Sequence, residues 1–375
     1  FGIQHVFAQK YVFSTRYVGT RGLFLPMQLQ LNLEPTVNAS NALPVYFTAP
    51  SQAALDSLHS TLAGLTDAYN NGNNGNGGFL VPAYANAGFT GSIITAFMPT
   101  GNSIYHSWAS ELSRRFSNGL QFDVNYTWSH NIDNSTDALD STVLAPRRPM
   151  NSQDLRPERA SSVLDHRHRI VAYMIYDVPY FKHSNWFLKN IVGNWEIAPV
   201  YTFQSGQLVT PQSAVDSNLN LDSAPDRVMI NPSGSFNVGS GASALTNSAG
   251  DTVAYLADNP NARFVTAPKG TLPTGGRSLI AMNPIDDIDV TLRKRFTFTE
   301  RCSFELSAQA LNILNHPQYT GGFLNDVYPY GYAQGSIGGD LARTTLEPKS
   351  TNFQQWSQAF SSNPRIIQLT AKFVF

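Results

Sequence analysis

The end of the chain constrains it most. Residues 365–375 read Arg-Ile-Ile-Gln-Leu-Thr-Ala-Lys-Phe-Val-Phe. From Ile367 onward the odd positions are apolar (Ile367, Leu369, Ala371, Phe373, Phe375), and the even positions Gln368, Thr370 and Lys372 are polar, Val374 being the exception. Successive strand side chains point to opposite faces, so this segment is a strand with one apolar and one wet face. Its length matches the roughly 9–11 residues that a strand needs to cross a bilayer. The final edge strand of a soluble sandwich would read the same way, because the barrel signal of a single strand is weak. Recurrence and spacing separate the two readings.

The pattern recurs. Leu120, Phe122, Val124, Tyr126 and Trp128 alternate with Gln121, Asp123, Asn125, Thr127 and Ser129. Trp195, Ile197, Tyr201 and Phe203 alternate with Glu196, Thr202 and Gln204, with Pro199 as a blemish because it lacks a ladder donor. Ile288, Val290 and Leu292 alternate with Asp287, Asp289, Thr291, Arg293 and Arg295, and Phe304, Leu306, Ala308 and Ala310 with Glu305, Ser307 and Gln309. Trp108, Leu112 and Phe116 oppose Glu111, Ser113 and Arg115, and residues 167–180 have strand character with both faces apolar. Near the start, Tyr11, Phe13 and Tyr17 predict a strand over 9–17. Gly19-Thr20-Arg21-Gly22 predicts a tight turn, and the alternation from Leu23 to Leu31 a second hairpin arm.

About nine strands result, joined by connections that alternate short and long. The long ones fall near 34–102, 133–165, 207–286 and 315–364. Loops beyond about 12–15 residues are uncommon in compact soluble domains, whereas outer-membrane barrels pair short turns on one side with long loops on the other. The expected fold is therefore all-β, an antiparallel transmembrane β-barrel segment with long extracellular loops. Phe122 and Val124 should face lipid, and Asp123 and Asn125 a wet lumen. Trp128, Tyr126, Tyr201, Phe203, Phe373 and Phe375 lie near strand ends, where aromatic girdles belong. An odd number of antiparallel strands leaves the first and last running the same way, so an incomplete barrel is expected: an open sheet whose end strands do not pair.

Composition agrees. Only 14% of residues are charged, against about 25% in soluble domains, and no run of about 18 apolar residues offers a helical span. A formal net charge of −1 without a basic block excludes nucleic acid as the expected partner. Cys302 is the single cysteine and reads as a small strand residue. The chain opens at Phe1 with neither a basic n-region nor an apolar h-region. It is expected to be the C-terminal piece of something longer, without a signal peptide. In the first long loop, Leu55, Leu58, Leu62 and Leu65 after Ser51 predict a helix over 51–69. The Gly/Asn tract 70–78 lacks the lysine of a phosphate loop and reads as solvated loop.

Candidate chemistry is sparse. His166 and His168 beside Asp165 have the spacing of two ligands on one strand face but lack the third and fourth ligands of a metal site, so they read as a strand start. Asp286, Asp287 and Asp289 lack the glycine of a calcium loop and are expected to pair with Arg293 and Arg295 in the lumen. Tyr328, Tyr330, Tyr332 and Trp356 crowd the last long loop, either as ligand contacts or as packing. No nucleophile elbow, zincin or Walker pattern occurs. No catalytic, cofactor or metal residue is assigned, no cofactor is expected, and the chain is not expected to be an enzyme.

Several segments resemble TonB-dependent receptors of the Oar-like type. They are Asn118-Gly119-Leu120-Gln121-Phe122 running on to Tyr126-Thr127-Trp128-Ser129, Asp165-His166-Arg167-His168-Arg169, Tyr201-Thr202-Phe203-Gln204-Ser205-Gly206 and, most specifically, Asn312-Ile313-Leu314-Asn315-His316-Pro317. The resemblance implies that residues 1–375 form the C-terminal portion of a roughly 22-stranded, plug-filled transporter barrel in the outer membrane. Phe375 would be the signal read by the barrel-assembly machinery. The implied function is uptake of a scarce nutrient powered through TonB, with outer-membrane lipid, TonB and an unknown small-molecule, peptide or glycan ligand as partners. A structural or adhesive barrel protein is the alternative, and an outer-membrane enzyme with a site at the loop rim a third.

Overall fold

Nine strands pair in chain order, but not the same nine as the alternation predicts: the arms read at 9–17 and 23–31 are a single strand, and Gly2–Phe7, not read as a strand, is another. A computed structural model describes residues 1–72, 75, 77–90, 93–136, 148–181, 184–222, 226–299, 301–319, 342–360 and 362–375. The strands are β1 (Gly2–Phe7), β2 (Tyr11–Gln30), β3 (Thr95–Ser117), β4 (Leu120–Asp133), β5 (His168–Asp177), β6 (Trp195–Gln204), β7 (Ile285–Thr297), β8 (Ser303–Leu311) and β9 (Ile366–Val374). Each lies antiparallel beside its predecessor. A two-residue strand, Ala160–Ser161, adds to the end of β4. Turns of two to five residues join β1–β2, β3–β4 and β7–β8, and a connection over 178–194 joins β5–β6, all at one end of the sheet, while the longest connections gather at the other.

Register sorts the side chains into two faces. Phe13, Leu112, Val124, Ala172, Tyr201 and Ile288 are successive cross-strand neighbours from β2 to β7, an unbroken apolar row. The neighbouring row on the opposite face runs Ser14, Glu111, Asn125, Val171, Thr202 and Asp287. Phe122 and Val124 thus share the apolar face and Asp123 and Asn125 the polar one, as the alternation predicts. Aromatic and imidazole rings band the apolar face toward the long loops. Trp108 pairs with Trp128, Tyr17 stacks on His106 and Tyr126 on His168, and each tyrosine hydroxyl reaches the imidazole Nδ1, at 2.6 and 3.0 Å.

Three sequence expectations change. The first hairpin is not at Gly19–Gly22: β2 runs straight through it, and its turn lies at residues 8–10, where Ala8 and Gln9 adopt positive φ. The glycines behave as strand residues because β3, which begins at Thr95 within the span read as the first long loop, supplies partners along nearly the whole length of β2. A Cβ on Gly22 would lie 2.7 Å from Ser103 Oγ, so the missing side chain permits close strand approach there. The helix expected over 51–69 is two, α1 (Gln52–Asp56) and α2 (Leu62–Asn71). Ser51 caps the first as read, and Thr61 starts a new one by accepting from the Gly64 amide at 3.1 Å. The leucines still pack inward: Leu55 and Leu58 lie against Val253, and Leu62 and Leu65 beside Leu219 and Tyr255. Cys302 is a turn residue preceding β8 rather than a strand residue, its carbonyl accepting from the Phe298 amide at 3.0 Å.

Pro199 sits inside the sheet. The β5–β6 register skips Ala198 and Pro199, while Pro199 keeps its place opposite Val290 of β7. The turn between β3 and β4 is Asn118-Gly119, both at positive φ (52° and 77°), the geometry that favours Asn-Gly in two-residue hairpins. Beyond Leu311, Asn312 turns the chain at φ 47° and its carboxamide donates to the carbonyls of His316 and Asn363 at 2.9 and 2.8 Å. One residue of the Asn-Ile-Leu-Asn-His-Pro motif thereby pins the chain leaving β8 to the chain entering β9.

The sheet is open. β1 and β9 are its two edges and do not pair with each other, as expected of an odd-stranded segment. Both run toward the short-turn end, and β9 is exposed at every position. Placing arginine on the apolar face, Val124→Arg, should destabilise the protein in lipid by about 2–4 kcal/mol, while Asn125→Arg should change little. Urea unfolding of the full-length protein from vesicles would measure both; equal costs would contradict the assignment of faces.

Candidate functional site

The long connections fold into a cap at their end of the sheet. Loop 1 (31–94) is closed at its base by Leu31 and Asn32, which bond the main chain of Ile94 at 2.9 and 2.8 Å. Strand Thr252–Ala257 of loop 3 (205–284) pairs with Ala242–Thr246 and, in parallel, with Val45–Tyr46 of loop 1. Val209, Val228 and Phe264 of loop 3 share a core with Leu346, Phe353 and Trp356 of loop 4 (312–365). Trp356 is therefore packing; Tyr328, Tyr330 and Tyr332 lie outside the described residues.

Buried ions tie loop 2 (134–167) into the cap. Arg227 pairs with Glu158, both almost fully buried. Arg277 reaches Asp133 at 3.0 Å and the Glu158 carbonyl at 2.8 Å. Removing one partner of such a buried pair typically costs about 3–5 kcal/mol, because the other charge is stranded. No periodicity marks Glu158, Arg227 or Arg277, and sequence reasoning passed over them.

Between these loops lies a cavity of about 540 Å³, lined by residues 34, 35 and 37–39 of loop 1, by part of 150–158 of loop 2, and by Asn218 and 272–276 of loop 3. Asn38, Gln153, Pro157, Leu272 and Thr274 on its rim are exposed, so solvent reaches it. The loops are locked where they meet. Gln153 Nε2 donates to the Leu31 and Leu33 carbonyls at 3.2 and 3.0 Å. The Met150 carbonyl accepts from the carboxamides of Asn218 and Asn220, each at 3.0 Å. Asp154 is held at about 2 by its hydrogen bonds from Arg156, and is ionised at neutral pH. A second hollow, about 610 Å³, opens on the apolar face of the sheet beside Leu292, Leu306 and Leu369. Its lysine, Lys294, is already engaged by the Ile191 and Gly193 carbonyls and lies over the Trp195 ring. That hollow is a lipid-facing groove, and the loop cavity is the candidate ligand site.

The sequence-level candidates disperse. His166 Nδ1 meets the Ser205 carbonyl at 2.8 Å, whereas His168 meets Tyr126; Asp165 bonds the Asn131 amide at 2.9 Å and Arg167 at 3.0 Å. Asp286, Asp287 and Asp289 do not pair with Arg293 and Arg295, which corrects the sequence reading. Arg293 bonds Glu196 at 2.8 Å and Glu305 at 3.2 Å, and Arg295 bonds Glu305 at 3.0 Å. A strand rises about 3.4 Å per residue, so carboxylates on adjacent strands are nearer than aspartates several positions back on the same one. Asp289 instead accepts from the Asn312 amide at 2.9 Å, and Asp286 lies 3.5 Å from His316.

Comparison with known proteins now identifies the class. The family model of the outer membrane beta barrel domain matches residues 1–368, and the chain belongs to that family. The protein is an outer-membrane β-barrel protein, with its long loops on the extracellular side as such barrels have them. No curated protein matches the sequence. Among solved structures, the outer membrane transporter YddB from Escherichia coli is similar over 85% of this chain, at 8% identity and a TM-score of 0.34. The chain covers 28% of that transporter's length.

Under the cavity wall, Asp226 accepts from the Ser217 amide and, at 3.3 Å, from that of Asn218. Complete burial, then the nearby Asp216 charge, push its carboxyl well above the usual carboxylate range despite those bonds. A carboxyl raised above its unfolded value of about 3.9 contributes stability that is full below that value and is lost as pH rises through the folded one. The cap should therefore loosen as pH rises above about 4, and Asp226→Asn, which stays neutral, should flatten this dependence. Hydrogen exchange of residues 209–222 between pH 4 and 8, corrected for intrinsic rates, measures it; identical slopes in both proteins would count against the argument.

Proposed function

We propose that this chain is part of the barrel of a TonB-dependent outer-membrane receptor of the Oar-like type, which takes up a scarce nutrient and catalyses no reaction. The observation that carries the reading is the loop cavity. Three separate extracellular loops converge on one solvent-reached hollow above a sheet whose other wet surface is a polar face, the arrangement of a capture site over a lumen. The motif residues quoted above, with Asn312 and Asn118-Gly119 at the turns, support the family type.

In this reading residues 1–375 are the C-terminal portion of a larger barrel. Strands outside this sequence pair with β1 and β9, a plug and a TonB-contacting segment lie upstream, and the β9 terminus is read by the barrel-assembly machinery. Each edge strand runs toward the periplasm, so each partner must run outward to be antiparallel. The chain by itself would expose two long edges and aggregate. Reconstituted alone in liposomes it should give neither conductance nor uptake, while the full-length protein should bind ligand and lose uptake when TonB is deleted. Uptake that survives TonB deletion would contradict the proposal. Loss of surface attachment with uptake intact would support the adhesive alternative.

A further inference from the structure

The walls of the loop cavity carry one sign of charge. Among the described residues no lysine, arginine or histidine lines it, but Glu34, Asp154 and Glu158 do. Glu158 is neutralised by Arg227. Asp154 is ionised and shares its charge with Arg156 on the exposed rim. The Glu34 side chain makes no hydrogen bond or ion pair among the described residues, although its main chain is fixed in a short pairing with Phe79. The site therefore holds an uncompensated carboxylate on a rigid backbone, in a hollow whose lining repels anions.

The rest of the lining is carboxamide and aliphatic. Asn218 is 1% exposed; its Nδ2 is spent on the Met150 carbonyl and its Oδ1 takes no hydrogen bond. A buried carboxamide oxygen left unpaired costs free energy that a donor would recover. Asn151 uses its oxygen on the Gln153 amide at 2.8 Å, and its Nδ2 has no acceptor among the described residues. A carboxamide offers one acceptor and a donor group, the pairing that a peptide group presents in return. Val37, Met150 and Leu272 supply aliphatic contact, and among the described residues no aromatic ring lines the hollow on which a sugar face would stack.

Resting on the receptor reading above, we propose that this cavity captures a short basic peptide, its cationic side chain against Glu34 and its peptide groups against the asparagine carboxamides. Charge excludes anionic ligands from this site, and the missing aromatic wall disfavours amino sugars.

The test uses the full-length protein in detergent and three probes: an N-acetylated lysine-containing tripeptide amide, its glutamate counterpart and a glucosamine disaccharide. Calorimetry should show the lysine peptide binding about tenfold or more tighter than either other probe, as one charge-assisted contact predicts. Glu34→Gln should remove most of that preference and Glu34→Lys should reverse it toward the glutamate peptide. Because the Glu34 side chain holds nothing in place, neither variant should alter the thermal midpoint. Equal binding of the two peptides, tighter binding of the disaccharide, or a preference unchanged in both Glu34 variants would overturn the proposal. Uptake assays in cells separate the two levels. A lysine peptide bound but not imported overturns the transport reading and leaves the site intact, whereas TonB-dependent uptake of another nutrient without peptide preference overturns the site alone.

Discussion

Backbone hydrogen bonding is the constraint on which the rest of this structure depends. Inside hydrocarbon no water is available to an N–H or C=O, so a chain that crosses by strands must pair each of them with a neighbour. The nine strands satisfy this among themselves and leave the deficit at the two edges, β1 and β9. The same demand explains why Gly19 and Gly22 lie within β2 instead of forming a turn. It also explains why Pro199 is tolerated only where the β5–β6 register skips it.

With the ladders fixed, period-two alternation assigns every side chain a solvent. The apolar row from Phe13 to Ile288 faces lipid, and on the wet face Glu196, Arg293, Glu305 and Arg295 bond across three strands. Those ion pairs are half-exposed, and pairs of that kind contribute little stability each; their consequence is a charged, hydrated wall. On the lipid side Lys294 is one exception, as is Arg114, which lies opposite Tyr11 and Phe122. Lys294 is accommodated because its ammonium turns to the Ile191 and Gly193 carbonyls at the end of a short wide helical turn, Leu188–Val192.

The cap obeys different physics. Out of the membrane its segments have water available, yet they bury Glu158 with Arg227 and Arg277 with Asp133. Such pairs add little net stability over apolar packing, but a loop displaced from its place would strand a charge. They therefore hold loops 2 and 3 in one arrangement and keep the cavity between them in shape.

Much of the sheet was legible. Phe122/Asp123 and Ile288/Asp289 declare their faces because a strand that meets lipid on one side and water on the other must alternate. The short and long connections follow from where those patterns stop. Ser51 and the four leucines announced helix and its buried side, though the second cap at Thr61 divided it. The aspartates of β7 were misassigned because sequence distance is a poor guide to neighbours in a sheet, where Glu196 and Glu305 come alongside from other strands. The cavity was not legible at all. Glu34, Asn151 and Asn218 sit in irregular segments far apart in the chain, and only pairing between loops brings them together. What the sequence by itself determined is the chemistry of each strand face, since alternation is local. Only the tertiary structure decided which strands are neighbours, where the first turn lies and what the loops enclose, since those depend on contacts between residues that no local pattern connects.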